Sequence, residues 1–265
     1  MTDWVDLYRE LDAWGRTGQS ATFWWRDDDA ATATPALRRL FDAATTAAGQ
    51  PVPLALAVIP ASADSALAQA LHVADGVIAL QHGYAHENRA AAGAKKAEFA
   101  AGRDPSAALE ELRSGSQRLR DLFRDRALPV LVPPWNRIDR ALIDRLDGVG
   151  IRGLSTYGPR AARTTAAGIV LVNTHVDIVN WRDERRFLGI EGCLRLAVGH
   201  LAARREGRVD ASEPTGLLTH HLVHDEDAWS FLATFLQRTA HHSAVRWMGA
   251  RQLFRFWYSR RLMVF

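Results

Sequence analysis

Among its 265 residues the chain has one cysteine, Cys193, and three methionines. A lone thiol cannot build an internal disulfide framework or a cysteine-based zinc cluster, so staples of those kinds are excluded. No apolar run approaches the roughly 20 residues needed to span a bilayer. The first ten residues, Met1 to Glu10, carry acids early and lack the apolar stretch of a secretory signal, so a cytoplasmic protein with no membrane partner is expected. Charge of one sign is also scarce. Lys and Arg number 33 against 30 Asp and Glu, a net +3 that is dispersed along the chain, so no nucleic-acid partner is expected.

In place of these features the chain has ten histidines, nine tryptophans and 48% hydrophobic residues, enough for a large core. Barrels of α/β type reach about 250 residues as one unit, so a single domain spanning 1–265 is the leading reading. Apolar runs at 21–26, 52–59, 76–81, 127–132, 151–155, 169–172 and 216–219 read as buried strands. Helix-like stretches at 35–48, 63–73, 105–126, 138–148 and 189–205 separate most of them, and 226–240 and 249–260 follow the last. Residues 3–15 place Trp4, Val5, Leu7, Tyr8, Leu11 and Trp14 at mixed three- and four-residue steps, an amphipathic helix expected to pack as an N-terminal flank. Alternating strands and helices predict an α/β fold with a mainly parallel sheet, here a distorted seven-stranded (β/α) barrel with flanking N- and C-terminal helices. The Ala/Gly-rich stretch 90–104 reads as a surface excursion, with Asp104 or Ser106 capping the helix that follows.

In a βα barrel, reactive side chains lie where strands run out into the following loops. Four unusual clusters fall there. Arg26-Asp27-Asp28-Asp29 ends the first run, and three adjacent carboxylates need positive charge among them, which a divalent metal would supply. The plain alternative is an Asp-rich loop capping the next helix. His82-Gly-Tyr-Ala-His86 places two imidazoles four residues apart, a spacing that metal sites use. Pro133-Pro134 stops the fourth run and fixes the direction of Trp135 and Asn136. His220 and His221 end the last run, and a histidine there can pass a proton to a leaving group. Adjacent strand residues point oppositely, so only one of the two can face a pocket. Asp177 and Trp181, from the segment 173–181, can orient that histidine and line the pocket.

In this order the clusters resemble the five motifs of the polysaccharide deacetylase superfamily, the carbohydrate esterase family four fold, over about residues 20–225. Its Asp-Asp first motif is similar to Asp27-Asp28-Asp29-Ala30, and its His-xxx-His second motif to His82 and His86. Its Arg-x-Pro third motif resembles Val132-Pro133-Pro134, its Asp/Trp fourth motif Asp177 through Trp181, and its Leu-Leu-His fifth motif Leu217 through His220. The resemblance implies Asp28 as general base, Asp29 with His82 and His86 as metal ligands, and His220 as general acid. A frame shifted by one would make Asp27 the base and Asp28 the ligand, and His221 is the alternative acid. The third-motif arginine is replaced by Val132, leaving Arg26 or Arg137 to steady the base. Pro134, Trp135, Asn136 and Trp181 are the expected substrate-binding residues.

The resemblance implies a metal-dependent hydrolase that removes an N-acetyl or related acyl group from a sugar or glycan, with zinc the leading choice of divalent metal. Two other readings stand beside it. One is hydrolysis of another linear or cyclic amide on the same fold, and the other a catalytically silent barrel that binds carbohydrate. His175 and His200 are read as structural.

Overall fold

The computed structural model describes residues 1–46 and 49–255. The elements run α1 (Trp4–Arg16), β1 (Ala21–Ala30), α2 (Pro35–Thr46), β2 (Leu54–Val58), α3 (Ser65–Val73), β3 (Val77–His82), α4 (Pro105–Phe123) and β4 (Ala127–Val132). After a short α5 (Arg140–Ile143) come the two-residue strands β5 (Gly153–Leu154), β6 (Val170–Leu171), β7 (Val176–Asp177), β8 (Val179–Asn180) and β9 (Arg186–Phe187). Then follow α6 (Ile190–Arg205), β10 (Thr215–Thr219), α7 (Glu226–Ala240), β11 (Val245–Trp247) and α8 (Ala250–Leu253). Among the described residues no helix is long and apolar enough to cross a membrane.

The main sheet is parallel, in the order β6-β5-β4-β3-β2-β1-β10-β7, with β11 added to the start of β1. Its two ends belong to one continuous segment. Within that segment Val172 and Thr174 donate their N–H groups to Leu154 and Thr156 on one side, while His175 and Ile178 donate to Gly216 and Leu218 on the other. Residues 170–178 therefore join β5 to β10, and the sheet closes into a barrel of seven strand positions, as the alternation of runs predicts.

Alternation along β1 assigns the two faces. Phe23 and Trp25 point outward into the layer shared with the helices, where α1 contributes Leu7, Leu11 and Trp14. Trp24 points inward and fills the barrel with Ala55, Ala57, Leu80, Val130 and Val132. That indole requires a small opposite wall. A Cβ on Gly216 would meet the Trp24 ring nitrogen and come within 2.6 Å of the Asn173 carbonyl, the atom to which Trp24 Nε1 donates at 2.9 Å. Arg26 and Asp28 continue the inward face above Trp24, so the apolar plug becomes polar where the strand ends.

Several local expectations shift. The helix read at 138–148 is broken into α5 and a 3₁₀ turn at Leu146–Val149, and α8 covers only the start of 249–260, whose residues from 256 on lie outside the described set. Residues 47 and 48 of the predicted 35–48 helix lie outside it too. The stretch 90–104 is more than a surface excursion: Glu98 and Phe99 are fully buried, and Asp104 caps α4 by accepting from the Ser106 N–H.

Candidate functional site

All the clustered residues come from the C-terminal ends of the barrel strands. At the end of β1 the pairing with β2 skips: Asp27 pairs with Leu56 and Ala30 with Val58, so one extra residue is accommodated between them. Asp29 takes up this bulge with φ of 70°, a left-handed conformation that Asp tolerates better than most residues. Strict alternation would send Asp28 and Asp29 to opposite faces. The bulge brings both to the mouth of the barrel.

Asp29 Oδ1 lies 2.9 Å from His82 Nε2 and 3.2 Å from His86 Nε2. Burial alone would raise the Asp29 pKa, but the two imidazoles outweigh it and hold the carboxyl well below the usual range. Burial opposes protonation of His82 as well, yet the bond to Asp29 and the charges of Asp28 and Asp29 raise its pKa. On the far side of its ring, His82 Nδ1 faces the Val132 carbonyl at 3.0 Å. Nδ1 therefore carries a hydrogen, which leaves Nε2 as the ligating nitrogen. Donors bound to zinc at about 2.0–2.1 Å in a tetrahedron sit about 3.3 Å apart, so this N₂O set fits a divalent ion with little adjustment.

The loop carrying His86 is tied by a residue that sequence reading passed over. The buried Glu98 carboxylate accepts the N–H groups of Tyr84 at 3.1 Å and Ala85 at 2.7 Å. Gly83, with φ of 59°, makes the approach possible, because a Cβ there would run into Glu98 and come within 2.6 Å of the Pro134 ring. The apolar neighbours Ala97 and Phe99 are its only sequence signal. Outer-sphere residues typically alter metal affinity 10–100-fold, so Glu98→Ala is expected to weaken zinc binding about tenfold by calorimetric titration. Unaltered affinity would assign Glu98 to folding alone.

Asp28 is held by Arg26. The guanidinium gives Nε to Oδ1 at 2.8 Å and Nη2 to Oδ2 at 2.9 Å, and it also donates to Ser155 Oγ at 2.6 Å and Asn136 Oδ1 at 2.8 Å. Each carboxylate oxygen has two acceptor sites, so the fork leaves Asp28 able to accept a further proton donor. Arg26 thus occupies the place that Val132 leaves open. Arg137 does not: it is exposed and donates to the Lys96 carbonyl.

Across the mouth, His220 Nε2 lies 4.0 Å from Asp28 Oδ2. Trp181 packs edge-on against it, with ring centroids 4.6 Å apart, and anchors its own Nε1 on Asp177 Oδ2 at 2.7 Å. Burial raises the Asp177 pKa against the pull of His220. His221, the alternative acid, does not share this position. It begins a 3₁₀ turn on the outer face, where its Nδ1 meets Asp27 Oδ1 at 2.5 Å, away from Asp28. Asp27 is likewise removed from the mouth, so the frame with Asp28 and Asp29 is the one that gathers there.

On the other rim Trp135 lies 4.6 Å from the His86 ring. Trp135 and Asn136 both have φ of 56°, beside His86 at 58° and Asp29 at 70°. Each non-glycine residue in that region stores about 1–3 kcal/mol, and such strain gathers at working sites. Pro134 is buried against this turn. Trp135 therefore stands beside His86, Asn136 beside Arg26, and Trp181 beside His220.

A second cluster, His175, His200 and Glu213, is fully enclosed. It does not fit a metal. The Gly216 N–H donates to His175 Nδ1 at 3.0 Å, which puts the proton of the neutral ring on Nε2 and removes the lone pair a metal needs. The two rings are stacked 3.5 Å apart at 15°, so their in-plane lone pairs run side by side and do not converge. Burial lowers both pKa values, that of His200 to about 2. The unfolded chain takes up protons near pH 6.5 that these folded imidazoles refuse, so stability is full above that pH and falls toward acid. Each such histidine removes about 1.4 kcal/mol per pH unit. Denaturant unfolding at pH 7 and pH 5 is expected to show a smaller acid loss in His200→Leu than in the wild type, and equal losses would contradict this assignment.

No known protein-family profile matches the chain, and no curated protein does. Solved structures do. A protein described as a polysaccharide deacetylase from Mycobacterium smegmatis aligns with a TM-score of 0.63 and 14% identity over 89% of both chains. One so described from Pseudomonas aeruginosa gives 0.60 and 16% over 92% of this chain and 93% of its own. A family 4 acetyl xylan esterase from Clostridium thermocellum, in complex with a cobalt ion, gives 0.52 and 12% over 88% and 90%. The chain has the fold that these structures share.

Proposed function

We propose that this chain is a metal-dependent hydrolase that removes an N-acetyl or related acyl group from a carbohydrate. The observation that carries the reading is the convergence of Asp29, His82 and His86 beside the Arg26–Asp28 pair, with His220 across the mouth. When bound by Asp29, His82 and His86, a divalent ion, zinc by preference for this N₂O set, supplies polarisation of the acyl carbonyl and activation of water. Asp28 removes the proton of the attacking water, and Arg26 keeps the carboxylate aimed through two parallel bonds. His220 Nε2 delivers a proton to the departing nitrogen, without which an amine is a poor leaving group. Trp135 and Trp181 offer aromatic faces for a sugar ring. Acetate and a free amine are the products.

Arg26 bears on the silent-barrel alternative: Val132 stands at the third-motif arginine position, but a guanidinium still grips Asp28. Acetate release from N-acetylhexosamine oligomers, compared with simple linear and cyclic amides, tests the substrate class. Release from the sugars alone is expected. Turnover confined to simple amides would move the assignment to an amidase, and carbohydrate binding without turnover under any divalent metal would overturn the enzymatic reading.

A further inference from the structure

The outer face of the same two strand ends holds a buried arrangement that the reaction above does not use. Asp27 is fully buried, with Thr219 opposite it in register on β10. Its Oδ2 accepts the Thr219 hydroxyl at 2.6 Å and the His221 backbone N–H at 3.0 Å, while Oδ1 meets His221 Nδ1 at 2.5 Å. The Thr219 oxygen in turn accepts from Trp25 Nε1 at 2.8 Å, which directs its own hydrogen to Asp27. One carboxylate thus grips the residue before His220 and the residue after it. His220 itself has left strand geometry, with φ of −141° and ψ of 83°, and its N–H goes to His224 Nε2 at 3.3 Å. Without Asp27 the His221 N–H would be a buried donor with no ladder partner at the point where the chain turns away.

We propose that Asp27 is a positioning residue for His220. Its neighbours Arg26 and Asp28 face the barrel mouth, so a single carboxylate on the outer face ties the strand bearing the base to the strand end bearing the acid. The 4.0 Å separation of Asp28 and His220 is set from behind. This explains three consecutive aspartates: Asp28 and Asp29 serve the mouth, and Asp27 serves the wall.

The inference rests on His220 acting as the acid, and the test separates the two claims. Asp27→Asn keeps the shape but removes the charge and turns an NH₂ either toward the two donors at Oδ2 or toward His221 Nδ1. Amide hydrolysis needs a proton at the leaving nitrogen, whereas 4-nitrophenyl acetate leaves without one. In Asp27→Asn the amide-to-ester ratio of kcat/KM is expected to fall about tenfold or more, in the same direction as in His220→Gln, with zinc affinity within about twofold of wild type. A parallel fall for amide and ester together with loss of zinc affinity would reduce Asp27 to a folding role, and an unchanged ratio would overturn the proposal. Thr219→Val, which removes one of the three bonds without charge, is expected to shift the ratio the same way and less, and it serves if Asp27→Asn does not fold. Should the wild type cleave neither substrate, the functional reading fails on its own. The crystal structure of the zinc-loaded variant then decides the inference: a His220 ring displaced from Asp28 beside an unmoved Asp29, His82 and His86 supports it, and an unmoved His220 overturns it.

Discussion

Asp28→Asn is expected to lower kcat for acyl release by on the order of 10²–10⁴-fold, the contribution typical of a positioned base, with zinc affinity close to wild type. The two effects separate because Asp28 bonds to Arg26, while the donor set is Asp29, His82 and His86. Asn retains one acceptor for the guanidinium and forfeits the charge. Removing one partner of a buried ion pair costs about 3–5 kcal/mol. Ser155 and Asn136 still accept from Arg26, which places the loss toward the lower end. Steady-state kinetics on folded variant, with metal content measured on the same sample, reads both quantities. Activity within tenfold of wild type would remove Asp28 from the role of base.

Loss of the metal itself is the second large effect. His82→Ala and His86→Ala are each expected to weaken binding by more than the 10–100-fold seen for outer-sphere residues, and the double variant to retain none after dialysis. The two single variants differ in their structural cost. His82 is buried and its Nδ1 is one of two donors to the Val132 carbonyl, so truncation leaves that acceptor to the Gly83 N–H alone and opens a cavity. His86 is half-buried, with its ring against Trp135, and its removal disturbs little beyond the loop. His86→Ala is therefore the cleaner probe, and calorimetric titration with zinc measures it. Stoichiometric metal in the double variant would sink the assignment.

Much of this site was legible in the chain because the barrel places its chemistry at strand ends, and strand ends are where apolar runs stop. Arg26 through Asp29, His82, Val132 through Asn136 and His220 all follow such stops. Their gathering into one mouth follows from closure of the sheet. For the frame among three aspartates the resemblance favoured Asp28 and Asp29, but composition alone left it open, because it depends on a one-residue bulge between Asp27 and Ala30 that composition does not mark. Nor could the sequence choose between His220 and His221. Alternation says that only one faces inward, and which one is set by the register of Asp27 against Thr219. Glu98 escaped notice because its stretch is rich in Ala and Gly. What makes it matter is its burial beneath the His82–His86 loop, a contact across 13 residues of sequence between Glu98 and Ala85. The strands β7 to β9 are two residues each, too short to give a periodic signal.

Anomalous scattering at the zinc edge, from crystals of the zinc-loaded protein, tests the central claim most directly. One strong peak bounded by Asp29 Oδ1, His82 Nε2 and His86 Nε2 is predicted, with none between His175, His200 and Glu213. A peak at the enclosed second cluster, or bound zinc held by neither set, would contradict the account.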